Sequence, residues 1–202
     1  MAEGITEVEL KSVVPDLAAA RARCEGAGAR LVFAGRLEDR RYDTRDRRLF
    51  ASDHVLRVRV YRPRAGAARA YLDWKGPTRN AGGYKVREEL STPADDADAL
   101  AAILARLGYV VTREVDRDIA HYDVDGTSVR FECYPRMDVL VEVEGSPEGI
   151  ERTIAALGLP RAGFTADRLA TFVARYEART GERAALSRRE LRGELLAERE
   201  DA

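Results

Sequence analysis

Apolar and polar residues alternate one by one through much of the chain, and a period of two predicts strands rather than helices. The segments that carry it are 5–13, 29–35, 36–43, 54–62, 69–75, 84–91, 109–118, 119–124, 127–133 and 138–144. Three intervening stretches switch to helical spacing, opening after "VVPD" at Pro15, after "STPADD" near Ala94 and after "GSPE" at Pro147. Proline suits a first helical turn, and Gly28, Gly108 and Gly158 supply the stops. Leu100, Ile103, Leu104 and Leu107 share one stripe, as do Ile150, Ile154 and Leu157, so each helix is expected to cover a sheet with one face. Thr165 to Arg179, with Leu169, Phe172, Val173 and Tyr176 along one side, predicts a further docked helix. Ser187 to Glu190 reads as a capping box opening a short helix that ends in "LLAERED". Gly66 to Arg69 and Arg79 to Gly83 read as loops. The order helix, Gly28, strand, "RRYDT" is echoed by helix, Gly108, strand, "AHYDV", a weak sign of internal duplication.

What alternates with the apolar residues is charge. Glu7, Glu9 and Lys11 interleave with Val8 and Leu10, Arg57 and Arg59 with Leu56, Val58 and Val60, and Lys75 with Leu72 and Trp74. Lys85, Arg87 and Glu89 interleave with Val86 and Leu90, Arg130 and Glu132 with Val129 and Phe131, and Glu142 and Glu144 with Val139, Val141 and Val143. For one strand a charged face means a wet face. Repeated over about five strands, with helices covering the apolar side, it predicts an α+β fold in which an antiparallel β-barrel turns a charged interior inward and packs its helices outside. Such an interior is built for a charged ligand. Lys11, Arg57, Arg59, Lys75, Lys85, Arg87, Arg117 and Arg130 can clamp an anion such as a phosphate. The two ExE pairs, Glu7 with Glu9 and Glu142 with Glu144, offer oxygen ligands of the kind Mg2+ or Mn2+ takes when it bridges carboxylates to phosphates.

Composition narrows the partners. The 202 residues suit one moderate domain with an appendage: residues 1–180 as the barrel domain and 181–202 as a helical or mobile tail. Lys and Arg number 34 against 35 Asp and Glu, and the resulting net charge of -1 argues against nucleic acid or a membrane surface as partner. No apolar run reaches the roughly 20 residues of a membrane helix, and Met1 to Leu10 lacks a secretory pattern, so a cytoplasmic location is expected. Cys24 and Cys133 have no metal-site spacing and read as reduced packing residues. His54 and His121 read as strand-edge residues and Trp74 as core, while Tyr42 and Tyr122 suit either the tunnel wall or barrel packing.

Taken in order, ExExK at Glu7, Glu9 and Lys11, "YD" at Tyr42 and Asp43, "LRVR" at Leu56 to Arg59, "LDWKGP" at Leu72 to Pro77, "KVREEL" at Lys85 to Leu90 and "VEVE" at Val141 to Glu144 form a specific set. Over roughly residues 5 to 178 it resembles the CYTH proteins, the triphosphate tunnel metalloenzymes that include class IV adenylate cyclases, thiamine triphosphatases and inorganic tripolyphosphatases. The resemblance implies a tunnel-shaped barrel that binds a triphosphate or nucleotide with Mg2+ or Mn2+, in a monomer or homodimer. Lys11, Arg57, Arg59, Lys75 and Arg87 carry over as phosphate ligands, the first three as catalytic candidates; Glu7, Glu9, Glu142 and Glu144 carry over as metal-site carboxylates, and Glu89 as a further tunnel acid. Arg117 matches the arginine of a family KxR motif, with Asp116 where lysine is usual. Glu132 stands where the family has Asp and joins the metal-site acids, "RMD" at Arg136 to Asp138 replaces a common "GLG", and Arg168 stands for a basic residue of the C-terminal helix. The activity expected is metal-dependent hydrolysis of an inorganic or organic triphosphate. A cyclase that converts ATP to cyclic AMP and pyrophosphate, and a non-catalytic polyphosphate or nucleotide binder, are the alternatives.

Overall fold

Strand β1 (Ile5–Val13) pairs on one side with β9 (Leu140–Glu144) and on the other with β6 (Tyr84–Ala94), and this double pairing closes the sheet on itself. The computed structural model describes residues 4–194. Around the barrel, β9 is followed by β8 (Thr127–Cys133), β7 (Val110–Val124), β2 (Arg30–Asp43), β3 (Val55–Pro63), β4 (Arg69–Lys75) and then β6, and these pairings are antiparallel. The charged, helix-covered barrel expected from the alternation is the fold observed.

Two expected breaks are absent. Segments 29–35 and 36–43 form the single strand β2, and 109–118 and 119–124 form β7. Gly35, at the junction of the two segments, marks a close approach: a Cβ there would lie 2.3 Å from the Arg62 carbonyl oxygen on β3. Register shifts at Leu31/Phe33 and Arg41/Tyr42 let so long a pair bend around the barrel. The expected loop 79–83 holds a short strand, β5 (Arg79–Ala81), joined to β6 by Gly82 and Gly83, both at positive φ as a two-residue hairpin requires.

Helices lie against the outer face. In α1 (Leu17–Gly26) and α4 (Pro147–Leu157), Asp16 and Ser146 cap the N-termini, and Cys24, Ile150, Ile154 and Leu157 pack on Leu10, Tyr122, Phe131, Val141 and Val143. Helix α3 (Ala97–Arg106), capped by Asp96, packs Leu104 on Tyr42 and Val58. Its stripe is narrower than expected: Ile103 and Leu107 remain 56% and 68% exposed, because only the Leu100–Leu104 row meets the sheet. A short helix α2 (Arg48–Ala51), unforeseen in the sequence, is held by the Asp43 carboxylate, which accepts from the backbone of Leu49 and Phe50. Tyr42 and Tyr122 pack on the outer face, and Trp74 is half-buried there beside His54 rather than in the core.

The C-terminal elements reach one end of the barrel. Thr165 is extended and exchanges backbone hydrogen bonds with Lys11, so α5 (Leu169–Thr180) begins later than Thr165. Leu169 and Val173 then pack with Val115, an inward residue of β7. Ala184, Ala185 and Leu186 are buried, with the Leu186 carbonyl accepting from the Asp116 amide at 2.7 Å. Ser187 caps α6 (Arg188–Leu191), and "LLAERED" lies outside the described residues. Cys24 and Cys133 are free thiols. Among the described residues no helix is long and apolar enough to cross a membrane.

Candidate active site

Because β-strand side chains alternate, the register that buries Val8, Leu10, Val141 and Val143 under α1 and α4 must turn the residues between them inward. They line a central cavity of about 120 Å³. Its walls carry ten cations, Lys11, Arg41, Arg57, Arg59, Lys75, Lys85, Arg87, Arg117, Arg130 and Arg168, and five carboxylates, Glu9, Asp39, Asp53, Glu132 and Glu142. The excess of positive charge in a walled space matches a polyanion.

The carboxylates hold the cations in place. Asp39 accepts from Arg59 Nε at 3.1 Å and Arg117 Nη1 at 2.9 Å. Burial alone would raise its pKa, but Arg117, Arg59 and Arg57 outweigh burial and hold the carboxyl well below the usual range. Asp73 accepts from Arg57 Nε at 2.9 Å and Ser91 Oγ at 2.6 Å. Glu132 accepts from Arg117 Nε, Arg130 Nε and the Tyr134 hydroxyl at 3.0, 2.9 and 2.5 Å. Lys11 lies between Glu9 and Glu142 at 2.6 and 2.5 Å, and Arg130 also donates to Glu142. Lys85 meets Glu9 at 2.5 Å. Lys75 donates to Glu7 at 2.9 Å and pairs with Glu89; burial, then Arg57, lowers its pKa to about 7. Arg87 donates to the carbonyls of Gly76 and Asp53 at 2.7 and 2.8 Å, and Arg168 reaches the Asp53 carboxylate at 2.8 Å.

The two ExE pairs do not act as pairs. Oxygens of Glu7, Glu142 and Glu144 lie within 4.8 Å of one another even though Lys75 pairs with Glu7 and Lys11 and Arg130 with Glu142, while Glu9 lies outside this group with Lys11 and Lys85, and Glu132 with two arginines. Burial, then the neighbouring Glu7 and Glu142, pushes Glu144 up to about 7. Three crowded carboxylates, one of them reluctant to ionise, fit a hard divalent cation that would relieve their repulsion.

Several interior residues escaped the sequence reading. Asp73 shares the phase of Lys75, and that signal was present in "LDWK". Asp39 and Arg41 had none, because Arg36, Glu38 and Arg40 make the outward phase of β2 charged as well. The inward neighbour of Arg117 is Val115, not Asp116, which faces outward and pairs with Arg36 at 2.9 Å. Asp138 likewise lies at the surface, 2.5 Å from Arg179.

The family model described as CYTH domain matches residues 6–144, the span that supplies most of these inward side chains. The chain belongs to the CYTH family. Solved structures with the same fold include a Vibrio parahaemolyticus protein titled as a candidate adenylate cyclase, with TM-score 0.71 and 20% identity over 85% of this chain and 99% of that one. A Hippeastrum protein, titled as a candidate adenylyl cyclase with a dominant triphosphatase activity, has TM-score 0.61 and 18% identity over 90% of this chain and 99% of that one. A Pyrococcus horikoshii protein has TM-score 0.68 and 23% identity over 80% and 94%. No curated protein matches the chain. CYTH proteins are triphosphate-tunnel enzymes, and the ionic cavity is the feature of this chain that corresponds to the tunnel.

Proposed function

We propose that this CYTH protein is a Mg2+- or Mn2+-dependent phosphohydrolase of a triphosphate. The observation that carries this is the cavity of ten cations and five carboxylates whose wall shares Glu142 with the Glu7–Glu142–Glu144 cluster. Arg57, Arg59 and Arg117 present forked donors suited to phosphate oxygens, and Lys11 and Lys75 add point charges. An entering triphosphate takes over donors now held by Asp39, Asp73 and Glu9. Because these side chains are already fixed, the charge that develops on the transferred phosphoryl and on the leaving oxygens meets oriented donors. Enclosure by the barrel strengthens each contact by keeping bulk water out. Glu7, Glu142 and Glu144 would hold the divalent ion, which when bound neutralises phosphate charge and organises the attack.

Incubation with tripolyphosphate, thiamine triphosphate and ATP, each with Mg2+ or Mn2+, is expected to release inorganic phosphate from at least one of them and to stop with a chelator. Cyclic AMP and pyrophosphate from ATP would identify a cyclase instead, and tight binding without product a binder. Arg57→Ala is expected to lower kcat/KM by roughly 100-fold; an unchanged value would remove this arginine from the phosphate grip.

A further inference from the structure

At one end of the tunnel the inward phase changes from charge to aromatic rings on three adjacent strands. On β3 the sequence of inward residues runs Arg57, Arg59, Tyr61, on β4 it runs Lys75, Asp73, Tyr71, and Phe33 on β2, four residues beyond Leu37, the partner of Tyr61, brings its ring to the same chamber. With His121 from β7, these rings wall a second chamber of about 270 Å³ beside the ionic cavity. The rings do not fill it: Phe33, Tyr61 and Tyr71 are each only partly buried. Phe33 and Tyr71 both stand nearly at right angles to Tyr61, with ring centroids 5.3 and 5.7 Å away, so the chamber is bounded by flat π surfaces in more than one orientation.

Arg59 belongs to both linings, reaching Asp39 on the ionic side while its Nη1 donates to the Tyr61 hydroxyl at 3.1 Å. A phosphate held at Arg59 therefore carries whatever is esterified to it toward the aromatic walls. Tripolyphosphate has nothing to place there. Asp73, Glu89 and Ser91 add acceptors along the same wall, suited to the amino groups of a heterocycle.

We propose that this second chamber holds an aromatic heterocycle carried on the triphosphate, so that the preferred substrate is an organic triphosphate such as a nucleoside or thiamine triphosphate and not tripolyphosphate. The assignment rests on the triphosphate-processing function proposed above. Stacking of one heterocycle on one aromatic side chain corresponds to roughly ten- to hundred-fold in binding.

The test compares ATP, thiamine triphosphate and tripolyphosphate by kcat/KM and by calorimetric titration, for the native protein and for Tyr71→Ala and Phe33→Ala, with melting curves to confirm that both variants fold. The native protein is expected to prefer at least one of the heterocyclic substrates over tripolyphosphate by ten-fold or more. Each variant should reduce that preference at least ten-fold, and whichever of ATP and thiamine triphosphate shows the larger reduction is the better match to the chamber. Should one variant fail to fold, the other gives the same ratio. Tripolyphosphate turned over as well as both organic substrates, or a preference untouched in the folded variants, would overturn the assignment while leaving the triphosphatase intact. Failure to bind or cleave any of the three would overturn both.

Discussion

Two buried clusters of charge sit within the same barrel and behave oppositely. Around Asp39, acid and base alternate, and each carboxylate oxygen faces a guanidinium; the result is a carboxyl held well below its ordinary pKa. Around Glu144, carboxylates face carboxylates, and its pKa rises to about 7. Burial opposes ionisation in both places, so the sign of the neighbours decides the difference. The first cluster is internally satisfied and holds its cations in fixed positions. In the second, Lys75 holds Glu7 and Lys11 and Arg130 hold Glu142, and it is Glu144, pushed up by its acidic neighbours, that is left in want of the positive charge a bound cation would bring.

The contrast can be broken most severely at Asp39. Asp39→Ala leaves Arg59 and Arg117 buried without their shared carboxylate and is expected to cost about 3–5 kcal/mol, read by urea unfolding. A loss under about 1 kcal/mol would mean that the arginines reach solvent or other acids, and the cluster would no longer count as a rigid frame.

At Glu144 the expected effect is smaller and of the opposite sign. Its folded pKa, about 7, lies above the ordinary 4.5, so its contribution to stability is complete below about 4.5 and is lost as pH rises through about 7. Glu144→Gln cannot acquire the repelled charge. In chelator it should therefore be more stable than the native protein at pH 8, by on the order of 2 kcal/mol, with little difference near pH 4. Adding Mg2+ or Mn2+ should raise the native melting temperature more than that of the variant. A native protein that gains nothing from either ion, or a variant destabilised at pH 8, would contradict the cation-site reading of this cluster.

The smallest effect belongs to the outer wall. Arg62 and Glu38 are 2.9 Å apart, as close as Arg117 and Asp39, but their side chains are 53% and 25% exposed. Water screens the pair, and Arg62→Ala should change unfolding free energy by less than about 0.5 kcal/mol. A loss approaching that of Asp39→Ala would show that separation, not burial, sets the strength of these pairs.

Alternation was legible where one phase was clearly apolar. On β1, β3, β8 and β9 the outward residues interleaved with the charges are Val, Leu and Phe, so the inward set Glu7, Glu9, Lys11, Arg57, Arg59, Arg130, Glu132, Glu142 and Glu144 could be named before any fold was known. On β2 both phases are charged, and Asp39, the hub of the cluster, was invisible. The aromatic chamber was hidden for another reason. Phe33, Tyr61 and Tyr71 are 28 and 10 residues apart along the chain, and single aromatic residues near strand ends say nothing until the strands pair.

On strands with one apolar phase the amino-acid sequence by itself determined which side chains face inward, because pleating allows each strand only two phases and burial of the apolar phase selects one. Which inward charges neutralise one another and which are left crowded was decided by tertiary structure alone. Glu9 and Glu7 are two residues apart on one strand with the same chemistry, yet strand register and tilt set Glu9 between Lys11 and Lys85 and set Glu7 beside two carboxylates with Lys75 as its one ion-pair partner among the described residues. The reason is physical: the field at a buried group is set by neighbours a few ångströms away across the barrel, and their sign is not written in the local pattern.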